Sequence, residues 1–147
     1  MDQVKRIIVH STATVGGGQG LNIPPKEMSN LTGHKYRWII GLDGYLFEDV
    51  GSVVSSSGDM HIAYTGGLDR KTLALTDTRT PEQKSAIAWL IKETRDRYGF
   101  SIPVFGHDEV SQNKRGCPGF TPSSEYRVEK KAKIMSPISK IIRKVFG

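Results

Sequence analysis

Cysteine is nearly missing from this chain: Cys117 stands alone among 147 residues, so no intramolecular disulfide can form. A lone thiol suits a reducing compartment, and a chain of this length can bury a core without a covalent staple. Long apolar runs are missing too, since no stretch approaches the roughly 18 residues that a membrane-spanning helix needs. The opening residues, MDQVKRIIVHST, lack the basic, apolar and small-residue order of a secretory leader. Synthesis in the cytoplasm is therefore the expectation, with any work outside the cell needing another route out. No internal repeat is visible. The remaining composition, 37% hydrophobic and 24% charged, is that of an ordinary soluble globular chain, most simply one domain.

Charge is present but unevenly placed. The net charge is +6, and residues 121–147 carry seven basic residues against two acidic ones, or +5. The first 120 residues hold fourteen basic and thirteen acidic residues, or +1. A pI near 9.5 alone would suggest nucleic acid. Charge confined to one terminal segment fits an anionic envelope or membrane surface as well, and no nucleic-acid partner is expected.

Taken in order, residues 4–10 form a buried apolar run (Val4, Ile7, Ile8, Val9) that delivers His10. From Val15 to Pro25, four glycines and two prolines exclude regular structure and predict a loop. Residues 36–47 read as strand, Asp43-Gly44 turn and return strand. Gly51–Gly58 is a small polar loop, and His61–Thr65 is a short strand ending at Gly66-Gly67. Thr80, Pro81 and Gln83 form the capping arrangement of a helix whose inner face is Ile87, Leu90, Ile91 and Thr94, with Gly99 as its stop. Phe100–Phe105 predicts a strand into His107. Thr121-Pro122 predicts a second capped helix with Tyr126 and Val128, and Ser136-Pro137 a third. Ile138, Ile141, Ile142, Val145 and Phe146 make one stripe on that third helix, with Lys140, Arg143 and Lys144 off it. The expected fold is a single α/β domain, a central mixed sheet flanked by helices, with residues 1–120 as its body. Residues 121–147 are a basic helical tail, packed on that body or holding an anionic surface.

The chemistry concentrates in GHDEVSQNKRGCPGF, residues 106–120, where His107 and Cys117 lie ten residues apart around Lys114 and Arg115. Both can bind one zinc if a third ligand comes from elsewhere, and His10 at the end of the first strand is the candidate. Three protein ligands and an open position are what a catalytic zinc site wants. Taken singly, His10 reads equally as a core histidine, and Cys117 as a buried inert thiol. Cys117 as nucleophile with His107 as base is a further alternative. A blue-copper site is disfavoured because no histidine follows the cysteine.

The ordered blocks IIVHSTAT, KYRWII with LDG, YTGGLD, DTRTPEQ, GHDEV and KRGCPGF resemble the zinc-dependent N-acetylmuramoyl-L-alanine amidases. The similarity is to the type-2 amidases of phage endolysins, which share a fold with peptidoglycan recognition proteins. It implies hydrolysis of the amide between N-acetylmuramic acid and L-alanine of the stem peptide, with Zn2+ as cofactor and bacterial peptidoglycan as partner. The metal ligands would be His10, His107 and Cys117, and Tyr36 would be the active-site tyrosine rather than an ordinary strand aromatic. The family places a lysine two residues before the last ligand. Arg115 stands there with Lys114 beside it, so both are candidates for stabilising the oxyanion. An arginine stays charged and cannot readily serve as an acid. Thr12 and His34 are candidate substrate contacts, although Thr12 could equally cap the turn. His61 matches no ligand block and reads as a surface or cleft residue. Asp108 and Glu109 could orient the imidazoles but read more simply as solvated. Recognition proteins without activity typically lack the cysteine ligand, so a binding-only module is the second reading. Release through a holin or another export route, lysis of bacteria and a monomeric state complete the expectations.

Overall fold

A computed structural model describes residues 3–15, 35–49, 57–111 and 116–128. Its centre is strand β1 (Arg6–Ser11), where Ile7, Ile8, Val9 and His10 are all buried. A strand apolar on both faces belongs in the interior of a parallel sheet, and β1 pairs in parallel on both sides. One neighbour is β5 (Asp59–Tyr64), with Ile8 opposite His61 and His10 opposite Ala63. The other is β7 (Val104–Gly106), with Ile7 opposite Val104 and Val9 opposite Gly106. Beyond β5 lies β3 (Trp38–Ile40), again parallel, and β4 (Leu46–Glu48) closes that edge antiparallel to β3. The order β4-β3-β5-β1-β7 makes one mixed five-stranded sheet. The β3–β4 hairpin turns at Asp43-Gly44, with Gly44 at φ 85°. A second small sheet pairs β2 (Thr14–Val15) with β6 (Gly67–Leu68).

Helix α1 (Pro81–Tyr98) covers one face of the sheet. Its capping box is complete: Thr80 accepts from the Gln83 N–H, and the Gln83 side chain accepts from the Thr80 N–H. Gln83 is fully buried and also donates through Nε2 to the carbonyls of Ile40 and Thr65, tying the helix start to the ends of β3 and β5. Ile87, Leu90 and Ile91 pack on Ile7, Val9, Ile40, Met60, Ile62 and Tyr64. Alternation along the strands then places Ile8, His10, His61 and Ala63 on the opposite face.

Two expected elements are shorter than their sequence signals. The strand into His107 is only β7, because the Ile102 N–H turns back to the Gly99 carbonyl and Pro103 has no N–H to give. His107 then opens a one-turn helix, α2 (His107–Val110), rather than ending the strand. The Thr121-Pro122 signal yields one turn, α3 (Pro122–Glu125), without a side-chain cap, and Val128 lies beyond it. Glu125 and Tyr126 instead reach across to Arg79. The expected Val15–Pro25 and Gly51–Gly58 loops fall almost wholly, and the third helix wholly, outside the described residues.

Candidate metal centre

Three segments meet at the carboxyl end of the sheet, where open α/β folds place their ligands. His10 arrives as the penultimate residue of β1 and is 2% exposed. His107 follows directly from β7. Cys117 returns to the same place because the Asp108 N–H donates to its carbonyl at 2.8 Å. A cis peptide joins Cys117 to Pro118. Glycine at 106 is required by space: a Cβ there would sit 2.8 Å from Asp108 Oδ1 and 2.9 Å from Pro118 Cδ. Tyr64 fastens the same segment to β5, its hydroxyl donating to the Pro118 carbonyl. Burial, and then nearby Asp77, push that phenol well above its ordinary value, so it remains a donor.

The side chains converge as the chain segments do. Nδ1 of His10 lies 3.0 Å from Nδ1 of His107, and the donor atoms of His10, His107 and Cys117 all fall within 4.8 Å of one another. Two nitrogens on one tetrahedral zinc, each about 2.0–2.1 Å from it, stand roughly 3.3 Å apart. Cys117 is 8% exposed, and its sulfur receives the Ser11 N–H at 3.4 Å. Two imidazoles and one thiolate match the donor preference of zinc. The residues therefore fit the metal, and with three protein ligands they leave a coordination position for substrate or water.

Tyr36, 3% exposed, packs edge-on against His10 with ring centroids 5.2 Å apart and planes at 83°. The structure thus gathers His10, His107, Cys117 and Tyr36. Thr12 behaves as a structural tie: its hydroxyl accepts from the Gly66 N–H at 3.0 Å and meets the Thr14 hydroxyl at 2.8 Å. Glu109 is not a partner of the imidazoles either, since its carboxylate accepts from the Gly106 N–H and from Ser123. Burial and neighbouring Glu109 raise the Asp108 pKa. His34, Lys114 and Arg115 lie outside the described residues.

His61, expected as a surface or cleft residue, is half-buried at the site: its Nδ1 lies 2.8 Å from Nε2 of His10, with ring centroids 5.0 Å apart. Met60, Ile62 and Tyr64 alternate into the core, which puts His61 on the same face as His10. That alternation was the available signal. The missing fact was that β1 and β5 are neighbours.

No protein-family model and no curated protein sequence matches the chain. Solved structures do. The endolysin N-acetylmuramoyl-L-alanine amidase LysCS from Clostridium intestinale aligns at TM-score 0.57 and 23% identity, over 90% of this chain and 84% of that one. Bumblebee PGRP-SA aligns at TM-score 0.56 and 16% identity, over 85% and 81%. Drosophila PGRP-LB aligns at 0.55 and 15%, over 85% and 80%. The fold is the α/β fold common to N-acetylmuramoyl-L-alanine amidases and peptidoglycan recognition proteins, as the ordered sequence blocks implied.

Proposed function

We propose that the chain is a zinc-dependent N-acetylmuramoyl-L-alanine amidase of the endolysin kind. It hydrolyses the amide between N-acetylmuramic acid and the L-alanine of the peptidoglycan stem. The observation that carries this reading is the approach of the His10, His107 and Cys117 donor atoms to within 4.8 Å, at the carboxyl end of a fold shared with such amidases. Zinc held there supplies Lewis acidity toward the scissile carbonyl and a nucleophile at neutral pH. The chain's own residues do the rest. His10 and His107 grip through Nδ1 and Cys117 through Sγ. The Tyr36 phenol donates a hydrogen bond to the oxygen on which charge develops. Lys114 or Arg115, just before Cys117, supplies a cation to the same oxygen, and only the lysine could also surrender a proton. His34, two residues before Tyr36, and Thr12, two residues after the first ligand, contact substrate. The cationic residues 121–147 keep the enzyme on an anionic envelope, which it reaches through a holin or another export route.

The test is metal content together with an assay for new L-alanine amino termini from purified cell walls. The expected result is about one zinc per chain and release that stops with a chelator and returns with zinc. Release that survives chelation would transfer the chemistry to the Cys117 thiol. Wall binding without new amino termini would make the chain a recognition module on the same fold.

A further inference from the structure

We infer that His61 is a positioning residue for this metal centre, taking a hydrogen bond from Nε2 of His10 and so committing Nδ1 of His10 to the metal. The inference rests on the zinc reading above. A neutral imidazole carries one proton on one of two nitrogens, and a nitrogen that binds metal must be the bare one. Nδ1 of His10 faces His107 Nδ1 at 3.0 Å, while its Nε2 faces His61 Nδ1 at 2.8 Å. If Nδ1 ligates, the proton sits on Nε2 and the short contact to His61 is a donated hydrogen bond. The opposite tautomer would put a proton between the two Nδ1 atoms that must share the ion. His61, by accepting, selects the competent tautomer and fixes the ring's rotation. Carboxylates and carbonyls usually serve a ligating histidine in this way. Here a second imidazole does so.

The surroundings are built for the contact. In the β1–β5 register His10 stands opposite Ala63 and His61 opposite Ile8, so the two rings meet on a diagonal. Ala63 carries only a methyl group at the position facing His10, which leaves room for that diagonal. Strand β5 is paired on both sides, by β1 and β3, so His61 rides on a rigid element. One step back along the same face, Asp59 is clamped by Arg6 through two contacts of 2.7 Å. His61 is itself half-buried and stands on the face away from α1, so its replacement leaves the main core intact.

The experiment compares the full chain with His61→Ala and His61→Asn, measuring zinc affinity by chelator competition and the melting temperature of the metal-free proteins. Asparagine presents Oδ1 about where Nδ1 stands and can accept the same hydrogen bond. His61→Ala is expected to weaken zinc binding about 10- to 100-fold, the usual effect of losing such a partner. His61→Asn should recover most of that loss, and the metal-free melting temperatures should coincide. Unchanged affinity in His61→Ala would overturn the inference while leaving the zinc reading intact. Complete loss of binding in both variants would make His61 a ligand and overturn it equally. Failure of the unaltered chain to bind zinc would overturn the metal reading itself, and this inference with it.

Discussion

Replacing Arg79 should loosen the metal centre from a distance. Its side chain is 2% exposed, and all five of its N–H donors are used. Nε and Nη2 reach the two oxygens of Asp77 at 2.9 Å each. Nη1 and Nη2 reach those of Glu125 at 2.7 and 2.8 Å, and Nη1 also donates to the Tyr126 hydroxyl at 3.0 Å. The guanidinium lies 3.3 Å over the Phe120 ring, three residues beyond Cys117. One cation thus binds the lead-in to α1, the segment after Cys117, and α3.

Removing one partner of a buried ion pair costs about 3–5 kcal/mol. The Asp77 and Glu125 side chains are 30% and 41% exposed and can turn toward water, so Arg79→Met should cost about 2–3 kcal/mol. For a chain of this size that is a fall of roughly 6–10 °C in Tm. Arg79→Lys keeps the charge without the fork or the stacking and should lose about half as much. The effect has a pH signature. Hydrogen bonds and charge from Arg79 hold Glu125 below its ordinary value of 4.5. Burial raises Asp77, but Arg79 outweighs it and leaves that carboxyl below 3.8. Depressed carboxylates stabilise the fold above their unfolded pKa values, and that stability disappears as pH falls through the folded ones. The gap between the native chain and Arg79→Met should therefore be full at pH 7 and shrink below about pH 4. Thermal melts at both pH values measure it, and the rate of Cys117 modification in metal-free protein should rise in the variant. A Tm within about 2 °C of the native chain, or a gap that ignores pH, would refute this account.

Zinc at a hundred times its Kd should stabilise the native chain by about 2.7 kcal/mol, seen as a concentration-dependent Tm that Cys117→Ser largely abolishes. Tyr36→Phe should bind zinc normally yet lower kcat by about 100-fold, as loss of one donor to a developing oxyanion does; an unchanged kcat would remove the phenol from the mechanism. Gly67→Ala forces a side chain onto a φ of 103° and brings its Cβ 2.3 Å from Ser11 Oγ. It should cost about 1–3 kcal/mol and, because the Ser11 N–H supports Cys117 Sγ, should weaken zinc binding as well, measurable by chelator competition.

Local signals in this sequence were reliable wherever one stretch of chain decides its own structure. Thr80, Pro81 and Gln83 specify a helix start by chemistry within four residues, and the β3–β4 hairpin is written in Asp43-Gly44. The β-branched run around Ile7 marks a strand buried on both faces. Strand and helix lengths were less legible. Pro103 trims β7, and Arg79 draws Glu125 and Tyr126 away from any continuation of α3, a tertiary pull that no capping signal at Thr121-Pro122 reveals. The ordered blocks pointed to His10, His107 and Cys117, which the structure brings together, but DTRTPEQ gave no hint that its arginine would be the tie between two distant segments.

The role of His61 shows where such reading stops. Its parity along β5 was visible, because Met60, Ile62 and Tyr64 alternate toward the core and leave His61 on the other face. Parity says which face, not which neighbour. The neighbour depends on β5 entering the sheet between β1 and β3, and on a register that sets Ile8 rather than His10 opposite His61. A shift of one residue would turn His61 into the core under α1, and a different strand order would put β5 beyond reach of His10. The contact between His61 and His10 is thus a property of strand order and register, which pairwise contacts between distant segments decide, whereas His10 itself is announced by its own short motif.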